Sequence, residues 1–553
     1  MGLDDDSKQL TRREFLKLLG YGAGVVAGAV TFGGLYNNLG LNEQNKSGLT
    51  KSVVYAQTPG SWSLGVNMLT TPIHASLLPN GKILYITGSD YVPTQQSGPY
   101  TVGILDPISG SQSSSTVADD IFCCGNCVLP NGNVLVTGGT LEYPQNSPNG
   151  KWWGRKEVYE YDFLSNSFIQ RPSMAHGRWY PTQVVLPDGT VSIFSGFDEF
   201  GCINGLLEIY DPNSQSFTMK FDPGRNKMYC VGACTTLPGA GSPCYGGPNN
   251  GTIPSMTYYP RITVMPSGLL ACAGMNPPLQ TWDPSTGRWV IGGPFAINQN
   301  RVYGTSVLLP MQNNTNEGGK ILLIGGAPST ADHATNQCEI VRPKGKSLKT
   351  WLTAPMQNPR MFFNATLLPT GTIFVNGGTT YANNLSDAVY AAEMFDPTTE
   401  TWTTMPSATV PRRYHSIALL LPDGRVWTAG TTIGLNPPGE LRTEIFSPSY
   451  VFATRPVISG IPAISGGYGG SITIPTQDAP NIASVSLVKM SSVTHHWTPD
   501  QRMIWLQIKN SNSNSLTVKA PINANIAPPG YYLIHVLDGN GIPSVGQFIK
   551  MPA

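Results

Sequence analysis

Histidine is scarce in this chain, with seven in 553 residues. His415 directly follows Tyr414, and His495 stands beside His496. His74, His176, His333 and His535 are scattered, as expected of structural or surface positions. Imidazole nitrogens combined with phenolic oxygens form a donor set suited to Cu(II) in tetragonal geometry. Zinc more often recruits carboxylate or thiolate into a closed tetrahedron. What must be asked is which elements could bring such distant side chains together.

An internal repeat supplies them. A Leu-Pro-Asn/Asp-Gly turn, or Leu-Pro-Thr-Gly at Leu368, followed by an apolar strand and a terminal Gly begins at Leu78, Leu129, Leu186, Leu368 and Leu421. A close variant begins at Met265, and a degenerate copy with an expanded turn ends at Gly326. The turn glycines are 81, 132, 189, 268, 319, 371 and 424, spaced by 51, 57, 79, 51, 52 and 53 residues. Asp-Pro pairs at Asp106, Asp211, Asp283 and Asp396 recur behind several copies. Each unit predicts a four-stranded antiparallel sheet with a hairpin at its turn. A period near fifty with Gly at the strand end is a kelch-type pattern. The fold class expected is all-β: a seven-bladed kelch-type β-propeller over 57–446. Residues 447–553 lack the repeat and are expected to form an immunoglobulin-like β-sandwich. The wide third spacing holds an insertion with Cys230, Cys234 and Cys244, where a local disulfide is expected.

In a propeller the first strand of each blade lines the axis, so equal distance before the turn glycine means similar height. Cys123 and Tyr180 both stand nine residues before their glycines, Tyr414 ten before and Phe363 eight before. Several ring members follow an arginine, as in Arg178-Trp-Tyr180, Arg301-Val-Tyr303, Arg360-Met-Phe362 and Arg412-Arg-Tyr414. Singly, each has a plain reading: aromatic axis packing, or a cysteine acting as a small hydrophobe or as a disulfide partner of Cys124 or Cys127. Together with His415 they describe a candidate copper site containing tyrosines.

Composition limits the alternatives. The 61 glycines and 47 prolines exclude coiled coils and helical solenoids. The net charge of +1 belongs to residues 1–56; the remainder is neutral, so no field exists to hold nucleic acid. Thr11-Arg-Arg-Glu-Phe-Leu-Lys17 before the uncharged stretch 18–35 matches a twin-arginine export signal, which places the protein in the periplasm, at the cell surface or outside the cell. A retained membrane tether is the other reading of this segment, which has the length of a short span. Val54-Tyr55-Ala56 has the shape of a cleavage site.

At the ring residues the sequence resembles the galactose oxidase/glyoxal oxidase family of copper radical oxidases. Five segments carry the resemblance: Phe122-Cys123-x-Gly125, Arg178-Trp-Tyr-Pro-Thr182, Arg413-Tyr-His-Ser416, Thr494-His495 with Asp500-Gln-Arg502, and Pro528-Pro-Gly-Tyr-Tyr-Leu-Ile-His535. The resemblance implies one Cu(II) held by Tyr180, Tyr414, His415 and His495, and a Tyr180–Cys123 thioether that stabilises a radical. It picks His495 over His496. Tyr414 is implied as the general base. The implied reaction takes a primary alcohol or the hydrate of a small aldehyde with O2 and gives hydrogen peroxide. Trp179-Tyr-Pro-Thr favours the glyoxal oxidase branch. The position of the family's stacking tryptophan falls on Asp198, beside Phe197, which leaves Trp179 as a substitute. Trp179, Asp198, Tyr303 and Phe363 are the expected substrate-pocket residues, and a closed propeller is expected as a monomer. The competing reading is a non-catalytic kelch propeller that binds a cell-surface glycan or protein.

Overall fold

The computed structural model describes residues 59–553 except 90–97, 205, 221–257, 275–278, 287, 292, 298, 315–318, 345–346 and 433–438. The export segment and Cys230, Cys234 and Cys244 lie outside the described residues. The described chain is all-β.

Seven antiparallel sheets follow the seven repeats. Their first strands are His74–Leu77, Gly125–Val128, Thr182–Val185, Ile262–Val264, Thr305–Leu308, Met361–Leu367 and Ile417–Leu420, each wholly buried. First strands of successive sheets lie side by side from the first to the fourth and from the fifth to the seventh, and that of the seventh lies beside that of the first. Arg261 of the fourth donates to the Gly304 carbonyl ahead of the fifth, at 3.1 Å. The seventh sheet takes its outer strand from the far end of the region: Ser61–Asn67 pairs antiparallel with Arg442–Ser447.

The repeated turn explains itself. In the second repeat, Gly132 N–H donates to the Leu129 carbonyl at 2.9 Å and Leu129 N–H to the Asn133 carbonyl at 2.8 Å. This is a type I turn closed by a residue in the left-handed region, where Gly132 sits at φ 98°. Asn131 accepts the Asn133 N–H at 3.0 Å, which is why Asn or Asp precedes the glycine. The Asp-Pro pairs act alike: Asp106 accepts the Ile108 N–H at 2.9 Å. Gly319 of the degenerate copy is absent from the left-handed residues.

Two further sheets form the C-terminal region. It is interleaved with the repeats. Ser492–Thr494 adds an innermost strand to the first sheet, and Met311–Gln312 from the fifth repeat pairs parallel with Met503–Leu506. The first of these pairings carries His495 into the repeat region.

Candidate metal centre and active site

Six of the seven sheets are entered through a strained residue. Cys123, Tyr180, Tyr259, Phe362 and His415 have φ of 61°, 69°, 44°, 60° and 68°, and each stands nine residues before its turn glycine. Tyr303, ahead of the degenerate turn, has φ 54°. Left-handed backbone costs a residue with a Cβ about 1–2 kcal/mol, and such outliers cluster where surrounding structure over-determines them.

The arginines noted in the sequence provide that constraint. Arg178 is fully buried, pairs with Glu208 on the third strand of its sheet at 2.8 Å, and donates to the Ser195 carbonyl at 2.8 Å. Arg301 repeats the arrangement with Glu339 at 3.0 Å and the Gly325 carbonyl at 3.0 Å. Arg360 does so with Glu393 and the Gly377 carbonyl, and Arg412 donates to the Gly430 carbonyl. Each guanidinium thus ties a lead-in loop to the end of its own second strand. Glycine at that end admits the next loop: a Cβ on Gly138 would lie 2.1 Å from the Arg178 carbonyl oxygen.

Three lead-in loops and the C-terminal strand converge on one cluster. Single ligand atoms of Cys123, His415 and His495, all buried, lie within 4.8 Å of one another. The Tyr180 and Tyr414 hydroxyls are hydrogen-bonded to each other. Ring centroids of His415 and His495 are 4.5 Å apart, as are those of Tyr180 and His495. Cys123 Sγ is 3.5 Å from His495 Nε2, and Cys123 and Tyr180 belong to one buried cluster.

The donor set fits a metal ion. Thr432 Oγ1 meets His415 Nδ1 at 2.5 Å, and Thr494 Oγ1 meets His495 Nδ1 at 2.6 Å. Both Nε2 atoms are thereby turned inward, and that of His415 is buried without a partner. Metal-binding imidazoles are held in this way through the other ring nitrogen. Burial lowers His415 to about 3 and His495 well below the usual range, so both are neutral and ready to ligate. Burial raises both phenols, and only a nearby cation would favour their ionised forms. Two imidazoles and two phenols are the set expected for Cu(II). His496 turns elsewhere, with its ring 5.9 Å from both Tyr303 and Phe362.

Beside the cluster opens a cavity of about 380 Å³ lined by Phe122, Trp152, Trp179, Tyr180, Tyr258, Tyr303, Asn383, Tyr414, His415 and Thr432. Trp179 and Tyr303 line it as expected, whereas Asp198 and Phe363 do not. Asp198 is buried behind the wall, accepting N–H groups of Phe200 and Cys202 at 2.9 and 2.8 Å. Phe363 lies in the apolar core between sheets. Adjacent strand residues point to opposite faces, so Phe362, one place earlier, reaches the site. Trp179 covers Tyr180 with centroids 4.0 Å apart and stacks on Trp152 at 4.6 Å and 9°. Trp152 and Tyr258 escaped the sequence reading because both lie outside the repeat register. Tyr259 did not have to be missed, since the nine-residue rule identifies it; its ring is 4.5 Å from Tyr180. Cys123, Cys124 and Cys127 are in no disulfide, while Cys202 is disulfide-bonded.

This is an all-β architecture with a buried two-histidine, two-tyrosine centre. Two family models match in tandem: Glyoxal oxidase N-terminus over 255–450 and Galactose oxidase-like, Early set domain over 455–551. A galactose oxidase of Gibberella zeae is 28% identical over 521 residues, covering 89% of this chain and 70% of that protein. An aldehyde oxidase GLOX of Vitis pseudoreticulata is 25% identical, covering 90% of this chain and 98% of that protein. The fold is also that of a solved fungal alcohol oxidase in complex with copper, at a TM-score of 0.74 and 24% identity, covering 90% of this chain and all of the other. The family that the motifs resemble is the one these matches show, the galactose oxidase/glyoxal oxidase group.

Proposed function

We propose that the chain is a copper-dependent oxidase that converts small aldehydes, as hydrates, or primary alcohols with O2, releasing hydrogen peroxide. One observation carries the reading: Cys123, Tyr180, Tyr414, His415 and His495, from four separate segments, meet in a single buried cluster. The named relatives, a galactose oxidase and an aldehyde oxidase, support it.

Copper held by Tyr180, Tyr414, His415 and His495 would acidify a bound hydroxyl and take up one electron. Tyr414, at the cavity wall, receives the hydroxyl proton. Tyr180, joined to Cys123 through a thioether and present as its radical, takes a hydrogen atom from the substrate carbon, and O2 then carries off that hydrogen atom, the electron and the Tyr414 proton as hydrogen peroxide. Thr432 and Thr494 keep the imidazoles oriented. Among the described residues the cavity is lined by aromatic rings, with Asn383 and Thr432 as polar handles and no charged side chain, a lining suited to an uncharged substrate.

The same reading takes residues 57–446 as a seven-bladed kelch-type propeller, with Ser61–Asn67 completing the last blade, and residues 447–553 as an immunoglobulin-like sandwich that delivers His495. Residues 1–56 direct export by the twin-arginine route, and the protein acts as a monomer. Peptide mass after copper loading tests the central claim. Loss of two hydrogens joining the Cys123 and Tyr180 peptides is expected. A free Cys123 thiol, or a Cys123–Cys127 disulfide, in active protein would overturn it.

A further inference from the structure

A chain of rings leads away from Tyr180. Its phenol ring is 4.0 Å from Trp179, Trp179 is stacked 4.6 Å from Trp152, and Trp152 is 4.7 Å from Tyr143 (centroid distances). Trp152 lies at the cavity wall, whereas Tyr143 is fully buried. The Tyr143 hydroxyl is hydrogen-bonded to Ser89 Oγ, which donates to Asp120 Oδ2 at 2.6 Å. Asp120 is buried, and its other oxygen accepts the Ser89 and Phe122 N–H groups at 3.0 Å each. Arg155, whose charge favours the ionised form of this carboxyl, is itself paired with Asp119 at 2.7 Å and with Glu157 at 3.5 Å.

Nothing in the oxidation proposed above uses Tyr143, Ser89 or Asp120. Their order has a chemical meaning all the same. Contacting aromatic rings pass an electron readily, and a tyrosine yields one at modest potential only if its proton has somewhere to go. Here a hydroxyl and a carboxylate stand in line to receive it. Burial raises the Asp120 carboxyl to about 6, so it binds a proton more readily than an ordinary aspartate.

We propose that Trp179, Trp152 and Tyr143 form a relay that discharges an unused radical from Tyr180 and protects the metal ligands from self-oxidation. The inference rests on the radical reading of Tyr180. An electron passes from Tyr143 through Trp152 and Trp179 to the Tyr180 radical, which becomes a closed-shell phenolate. Tyr143 loses its phenolic proton in the same step, Ser89 accepts that proton, and the Ser89 proton moves to Asp120. One radical is consumed and one formed, and one carboxylate becomes a carboxylic acid.

The test uses the full-length, copper-loaded protein treated with hydrogen peroxide in the absence of alcohol or aldehyde, then digested and read by peptide mass. Oxygen addition is expected at Tyr143 and Trp152, well above Trp351 and Trp402 in the same digest. Trp152→Phe is expected to lower Tyr143 marking severalfold, Tyr180→Phe to abolish it, and Tyr143→Phe to raise the marking of Trp152. Equal Tyr143 marking in Trp152→Phe and wild type overturns the relay. So does an unmarked Tyr143 in protein whose digest contains the Cys123–Tyr180 thioether, and in that case the proposed function stands. Absence of both the thioether and the marking removes the proposed function and the relay together.

Discussion

The lead-in loops of the third and sixth sheets are built alike and used differently. Both bury an arginine against a glutamate of the third strand, both tie its guanidinium to the end of the second strand, and both reach a left-handed residue two places later. In the third sheet that residue is Tyr180, whose hydroxyl meets Tyr414. In the sixth it is Phe362, whose ring packs 4.3 Å from Tyr303. The strained slot and its anchor therefore belong to the repeat, while reactivity belongs to the side chain occupying the slot. A scaffold that already over-determines this backbone can change its chemistry by one substitution.

The sharpest way to break the comparison is to exchange what fills the slots. Tyr180→Phe is expected to lose oxidase activity completely with an unchanged melting temperature, whereas Phe362→Leu keeps most of its activity; peroxide release and thermal unfolding read both. Next come the anchors. Glu208→Ala and Glu393→Ala should each destabilise by about 3–5 kcal/mol in denaturant, because a buried guanidinium is left unpaired. Only Glu208→Ala should also lower the copper content of the folded fraction; equal loss in both variants would mean that the slots are not independent.

Asp120 gives a smaller, pH-dependent effect. Its folded pKa of about 6 lies above the ordinary 3.8, so it favours the folded state below about pH 4 and that contribution fades as pH rises through 6. Relative to Asp120→Asn, the wild type should lose on the order of 3 kcal/mol across this window. A flat difference between the two proteins would remove the buried acid from the account. Thr432→Val is expected to weaken copper binding about 10- to 100-fold by freeing the His415 ring, and Thr432→Ser should restore it; calorimetry distinguishes the three. The smallest effect is on stability in Phe362→Leu, about 1–2 kcal/mol from imperfect repacking.

Much of this arrangement was legible because turns are local. Leu-Pro-Asn-Gly specifies its own hydrogen bonds, so each hairpin could be placed, and distance from the turn glycine located Cys123 and Tyr180 at one height. The same rule applied strictly gives Phe362 and Tyr259, and a slack of one residue gave Phe363, because a single step along a strand exchanges its faces. Trp152 was hidden for a different reason: it sits in a loop specific to the second repeat, and no periodicity points to it. Pairing across the chain was hidden as well. Ser492–Thr494 carries no mark that it joins the first sheet, since partner choice between distant strands is settled by packing.

The pairing of Ser61–Asn67 with Arg442–Ser447 also sets an order of assembly. It joins segments nearly four hundred residues apart, a contact of very high sequence separation whose closure entropy falls due before any packing rewards it. The seventh sheet stays incomplete until almost all of the repeats have been synthesised, and Thr494-His495 emerges later still. The second imidazole is thus among the last groups to take its place, and full metal affinity appears only when the polypeptide is essentially whole.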